Sequence, residues 1–243
     1  MRFKASNLTI LQDHEDWCVI AKPARLAVHR SQLVRDKVAL LQMVRRRVGC
    51  EVNPVHRLDR ATSGCIIFAK NKASTAMIQQ AMRQREAQKT YLLCVRGWAE
   101  PQSSVLMDIP LSIEGKTQEA KTYFECLGAS KDPRCALILA KPLTGRWHQI
   151  RRHIKRVSMP ILMDSTHGDT RTNRWWREEY GLKRLALHCF SLYVPLPNGD
   201  TIDAMCPLPA DLHYVFRQLP WWTSAVERLP LLEIPPIPLM MKQ

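Results

Sequence analysis

The first third of the chain alternates short apolar runs with polar turns. Leu8-Thr9-Ile10-Leu11 and Trp17-Cys18-Val19-Ile20-Ala21 flank the polar stretch Gln12 to Asp16, the pattern of two short strands joined by a turn. Lys22-Pro23 breaks that pattern and Leu26-Ala27-Val28-His29-Arg30 resumes it. From Val38 to Val48 the period changes. Leu40, Leu41, Val44 and Val48 recur at helical spacing, Arg45-Arg46-Arg47 reads as the solvated face, and Gly49 stands where a glycine ends a helix. Cys65-Ile66-Ile67-Phe68-Ala69 is a continuous apolar run, as in a buried strand. Asn71 can cap a helix from Lys72 to about Ala87, with Ala73, Met77, Ile78, Ala81 and Met82 as its packing stripe. Lys89 to Val95 then reads as a strand closed by Gly97.

The second half continues in the same style. Ala120 to Leu127 and Cys135 to Ala140 have strand patterns, and Gly128 to Pro133 is the turn cluster between them. Thr144 can cap a helix to about Val157, with Ile150, Ile154 and Val157 inside. Pro160 to Met163 is a short extended piece, and Leu185 to Leu192 is a strand in which His188 is a core residue. Asn198-Gly199 signals a hairpin into Thr201 to Cys206. A closing helix covers about Ala210 to Gln218, and the proline-bearing end from Leu229 reads as extended. No repeat and no Gly- or Ser-rich linker interrupts the chain, so one sheet-centred domain over residues 1–220 with a tail over 221–243 is expected.

Composition narrows the partner. The 243 residues are 46% hydrophobic and 24% charged, and 36 Lys+Arg against 22 Asp+Glu leave a net charge of +14. A clustered basic excess favours nucleic acid, because each neutralised phosphate releases counterions. No apolar stretch is long enough to span a membrane, and the first residues lack the apolar core of a secretory signal, so a cytoplasmic protein without membrane contact is expected. A monomer is expected as well. The eight cysteines include no C-x-x-C pair, and most lie in apolar runs, as free thiols do. His148 and His153 are five residues apart, on different faces of a helix. Neither a metal nor any other cofactor is expected.

The stretch richest in chemistry is Asn53-Pro54-Val55-His56-Arg57-Leu58-Asp59-Arg60-Ala61-Thr62-Ser63-Gly64, directly before the apolar run. It holds one acid between two arginines on a loop that a strand would hold rigid. His56-Arg57-Leu58-Asp59-x-x-Thr62-Ser63-Gly64 resembles the catalytic signature of the RluA-type pseudouridine synthases. Lys89-Thr90-Tyr91 resembles that family's second motif, and Thr144-Gly145-Arg146-Trp147-His148-Gln149-Ile150-Arg151-Arg152-His153 its third. Leu185-Ala186-Leu187-His188 also matches, and His167 to Arg174 is similar to the tRNA-modifying TruC branch. One departure stands out. The family's Lys-Pro-x-Gly reads Lys22-Pro23-Ala24-Arg25 here, and a turn requiring positive φ would be strained by Arg25, so a different local backbone is expected.

The resemblance covers about Leu8 to Pro209 and implies an α+β fold: a mixed, mainly antiparallel central sheet with flanking helices and a central active-site cleft. It implies isomerisation of a specific uridine to pseudouridine, in a tRNA stem at uridine 65 for TruC-like members. Asp59 would be the catalytic carboxylate, Tyr91 would stack on the target base, and Arg151 would pair with Asp59. His56, Arg57, Arg60, Arg146, His148, Gln149, Arg152, Lys155 and Arg156 would contact RNA, with Arg57 filling the space of the flipped nucleotide. No S4-like segment is expected, so RNA contact falls to the catalytic domain. A lone acid in a basic loop suits this chemistry better than glycoside hydrolysis, which uses two flanking acids. The alternatives are a synthase for ribosomal or several RNAs, and a non-catalytic RNA-binding protein. A hydrolase using His188 or His148 lacks a nucleophile motif such as G-x-S-x-G.

Overall fold

The computed structural model describes residues 3–29 and 38–239. In chain order the first elements are β1 (Ile10–Asp13), β2 (Trp17–Lys22), α1 (Leu40–Val48), β3 (Asn53–Pro54), β4 (Ser63–Ala69) and α2 (Lys72–Ala81). They are followed by β5 (Gln88–Arg96), β6 (Ser104–Asp108), β7 (Leu111–Ile113), β8 (Lys116–Gln118), β9 (Lys121–Lys131) and β10 (Arg134–Pro142). The last are α3 (Gln149–Arg156), α4 (Thr170–Tyr180), β11 (Leu187–Pro195), β12 (Thr201–Met205), α5 (Ala210–Phe216) and α6 (Trp222–Arg228). This is an α+β fold with mainly antiparallel strands.

The chain groups into two compact units where one sheet-centred unit is expected from the absence of a linker. The first comprises residues up to Lys89, Cys189–Cys206 and the segment from Ile237. Here β2 pairs antiparallel with β1 and with β4, in register from Trp17↔Ala69 to Lys22↔Gly64, and β3 also joins β4. All seven residues of β4 are buried, Ile66, Ile67 and Phe68 completely. Burying each such side chain contributes about 1.5–3 kcal/mol, so β4 is a rigid base for the loop before it. Asn71 caps α2 by accepting the Ser74 N–H at 2.8 Å. That helix ends at Ala81 and buries Ser74, Ile78 and Ala81, leaving Ala73 exposed. Leu26–Val28 is buried without being a strand. Its carbonyls at Ala27 and Val28 accept the N–H groups of Leu40 and Leu41, which start α1. Arg30, expected to extend that run, lies outside the described residues.

The second unit comprises Thr90–His188 and Pro207–Pro236. Its strands run in the order β5-β10-β9-β6, all antiparallel, with β7 and β8 forming a separate two-stranded ladder. β9 continues through Gly128 to Lys131, so the turn is shorter than the Gly128–Pro133 cluster suggests. Gly128 serves packing rather than turning: a Cβ there would lie 3.0 Å from Trp221 Cβ. Trp221 is 1% exposed and donates its indole N–H to Cys135 Sγ at 3.2 Å. Next to it, α6 pairs Arg228 with Glu125 at 2.7 Å. The segment 221–243, expected as a tail, therefore begins with a buried tryptophan and a helix packed in this unit, before the stretch from Leu229 expected to be extended.

Candidate active site

In the first unit, Asp59 is half-buried and its carbonyl accepts the Thr62 N–H at 3.0 Å, closing a turn one residue before β4. A buried lysine braces this turn. Lys22 is 2% exposed, and its ammonium donates to the carbonyls of Pro23 (2.9 Å), Leu26 (2.8 Å) and Arg60 (3.3 Å). One side chain thus ties the Lys22-Pro23-Ala24-Arg25 turn to the residue after Asp59. Arg25 itself has φ 64°, so the left-handed turn persists without glycine. The left-handed conformation costs a non-glycine residue about 1–2 kcal/mol, which the Lys22 hydrogen bonds help to offset.

His56 turns inward. Its Nε2 accepts the Ile67 N–H of β4 at 3.1 Å, which places the neutral ring's proton on Nδ1. Nδ1 is buried and finds no partner among the described residues. Burial, reinforced by the charge of Lys89, lowers the His56 pKa to about 3. The expected RNA contact is thereby replaced by a bond that holds the motif loop on its strand. Arg57 and Arg60 are exposed. Gly64, with φ 118°, lets β4 approach β11: a Cβ there would lie 2.1 Å from the Cys189 carbonyl oxygen.

The second unit holds Tyr91 and Arg151. Tyr91 is 8% exposed in β5, paired with Ala140 of β10. Arg151 lies on α3, which starts at Gln149 and not at Thr144. Thr144 braces the preceding turn instead, accepting the Lys121 N–H at 2.9 Å and donating to Gln149 Oε1 at 2.6 Å. Gln149 also accepts the Arg146 N–H at 3.0 Å and donates to Lys121 O and Thr122 Oγ1, both at 2.9 Å. Its amide is buried and used on both sides, so the expected RNA contact gives way to a structural lock. Arg146 donates to the Glu119 carbonyl, and Arg152 to that of Ser112, each at 2.9 Å. Lys155 and Arg156 are exposed.

A carboxylate that sequence patterns do not single out holds Arg151. Asp164 accepts from Nε and from Nη2, both at 2.8 Å, the two-pronged geometry that a guanidinium favours. Its Oδ1 also accepts the N–H groups of Thr166 and His167, both at 2.9 Å. Burial alone would raise the Asp164 carboxyl, but Arg151 and these N–H groups outweigh it and hold the pKa below its usual value. Arg151 Nη1 donates to His148 Nε2 at 2.7 Å, so a neutral His148 carries its proton on Nδ1 and donates it to His167 Nε2 at 3.0 Å. Trp147 stacks on His148 with ring centroids 3.9 Å apart and is itself 47% exposed. The available signal for Asp164 was an acid placed directly after the apolar segment Pro160-Ile161-Leu162-Met163, where a buried charge demands a cation.

Comparison with known proteins adds the family. The model described as RNA pseudouridylate synthase matches residues 16–156. The tRNA pseudouridine synthase C of Vibrio vulnificus is 36% identical over 205 residues, 76% of this chain and 84% of that protein. The tRNA pseudouridine synthase C of Haemophilus ducreyi is 32% identical over 238 residues, 88% of this chain and 96% of that protein. Among solved structures, human RNA pseudouridylate synthase domain containing 1 superposes with a TM-score of 0.71 at 23% identity, covering 98% of this chain and 99% of that one. Human RNA pseudouridylate synthase domain containing 4 gives 0.69 at 23% identity over 91% and 92% of the two chains. These structures share the fold, and residues 16–156 of the family match span the positions of Asp59, Tyr91 and Arg151. The chain belongs to the RNA pseudouridylate synthase family.

Proposed function

We propose that this protein isomerises a uridine in a tRNA stem to pseudouridine, acting as a monomer on the position, uridine 65, that its TruC-like character suggests. The reaction rearranges one substrate. The N1–C1′ glycosidic bond breaks, the base turns, C5 bonds to C1′, N1 gains a proton and C5 loses one, so no redox partner or energy source enters the balance. Asp59 is the nucleophile or base at the sugar or the uracil ring. Tyr91 lies against the base and assists removal of the C5 proton, and Arg151 orients Asp59. Arg57, Arg60, Arg146, His148, Arg152, Lys155 and Arg156 supply RNA contacts, and the target nucleotide is flipped out to reach the acid.

The observation that carries this reading is the braced presentation of Asp59. Its loop is pinned by Lys22 to one side and by His56 to β4 on the other, which is the preorganisation a single catalytic carboxylate requires. The names of relatives up to 36% identical support tRNA as the substrate. The test is tritium release from tRNA labelled at uridine C5, with Asp59→Asn alongside. Wild type is expected to release tritium while Asp59→Asn stays at background with RNA binding retained. Release from ribosomal RNA but not from tRNA would replace the substrate, and near-normal release by Asp59→Asn would remove Asp59 from its role.

A further inference from the structure

Beyond the site, α4 presents a combination that the mechanism does not use. Its sequence Thr170-Arg171-Thr172-Asn173-Arg174-Trp175-Trp176-Arg177 places Arg171, Arg174 and Trp175 on one face, by the three- and four-residue neighbour rule. All three are exposed, Trp175 by 43%. No carboxylate lies within ion-pair distance of Arg171 or Arg174 among the described residues, although Asp169, the N-cap, feels the Arg171 charge. By the same rule the exposed Glu178, four residues after Arg174, and Glu179, four after Trp175, border this face at the helix's C-terminal end, so its cationic part is the N-terminal stretch from Arg171 to Arg174.

Trp175 is exposed yet anchored. Its ring meets Trp176 edge-on at 5.3 Å and Tyr180 at 5.6 Å, and Trp176 is 2% exposed. The opposite side of the helix is keyed to the Arg151 network. Asn173 accepts the Met163 N–H at 2.8 Å and donates to the Asp164 carbonyl at 3.1 Å. The stretch leading into α4 also has cations around it: Arg151, Lys155 and Arg152 act on His167 beside the larger, opposite effect of Asp164, and Arg96 and Arg171 act on Asp169.

We infer that this face of α4 is a second RNA-contact surface, with Arg171 and Arg174 on backbone phosphates and Trp175 stacking on an unpaired base. The argument is charge complementarity together with a rigid, half-exposed ring, since a base stacks on an indole that is already held in place. The inference rests on the proposed tRNA substrate and adds to it a contact outside the catalytic loop, which raises affinity without entering the chemistry.

The test is binding of unmodified tRNA transcript by filter retention over 50–300 mM salt, with turnover measured separately. Arg171→Ala/Arg174→Ala is expected to weaken binding and to lower the slope of log K against log salt by about 2. Trp175→Ala is expected to cost about 5- to 100-fold in affinity with an unchanged slope. Trp175→Tyr, which keeps a stacking face, should recover most of it. The value of kcat at saturating tRNA should not move. Unchanged affinity and slope in the arginine pair would overturn the inference, as would an altered oligomeric state in sedimentation with RNA affinity intact. If wild type binds structured RNA without releasing tritium, the proposed reaction fails while a lowered slope still supports this surface.

Discussion

A buried guanidinium destabilises the fold unless its charge is met, and Arg151, 5% exposed, meets it at Asp164. Removing one partner of such a pair leaves an uncompensated charge in the interior, which typically costs about 3–5 kcal/mol. Asp164→Ala should therefore lose about that much in urea unfolding. It should also lower kcat more than it raises KM, because Arg151 loses its orientation while the RNA-contacting surface stays intact. Asp164→Asn keeps one acceptor and should fall between wild type and Asp164→Ala. A variant within about 1 kcal/mol of wild type would show that Arg151 is held by other means. Sequence patterns marked Asp59 and Arg151 because their motifs are contiguous. Asp164, Lys22 and Asn173 act across loops, and a pairing of that kind has no local spelling.

At the scale of elements, the buried strands were legible and the helix boundaries less so. β2, β4 and the central parts of β5 and β10 are continuous apolar runs, and a fully buried strand needs nothing else. The pattern places the start of α3 at Thr144 whereas the helix begins at Gln149, because a threonine able to cap a helix is also able to brace a turn, and here it does the latter. The helix α4 carries mostly polar side chains, and Trp221 with α6 stood in a segment read by its prolines, so both elements escaped a pattern based on apolar periodicity. The glycine that ends the signature motif is a requirement of the element rather than of the chemistry. Gly64→Ala would drive a Cβ to 2.1 Å from backbone of β11 at a φ of 118°, where no side chain can yield. A loss of more than about 3 kcal/mol, or failure to accumulate as folded protein, is expected. A stable, fully active Gly64→Ala protein would refute this close approach.

Over the whole molecule, histidines that resist protonation in the fold make stability depend on acid. His56, His153, His167 and His213 all have lowered pKa values, burial being the largest cause in each, and for His56 the value is about 3. Above the unfolded value of 6.5 the ring is neutral in both states and contributes no pH dependence. Below 6.5 the unfolded chain takes up a proton that folded His56 refuses, so stability falls as pH drops, until about pH 3. One such group contributes a slope of at most about 1.4 kcal/mol per pH unit. His56→Gln should flatten the slope of unfolding free energy between pH 6 and 4 by nearly one proton. Equal slopes in the two proteins would mean that His56 is protonated while folded.

The sequence by itself determined the chemistry and the class of fold. The signature residues are neighbours along the chain, the buried strands announce themselves by composition, and a net charge of +14 needs no structure to point towards RNA. Tertiary structure alone decided how those residues are held: that Asp164 receives Arg151, that Lys22 ties an arginine-bearing turn to the Asp59 loop, that His56 and Gln149 face inward, and that α4 turns two arginines and a tryptophan outward. The division has a physical cause. Local patterns record propensity and solvent preference, whereas the partner of a buried charge or amide is chosen by packing between segments distant in sequence.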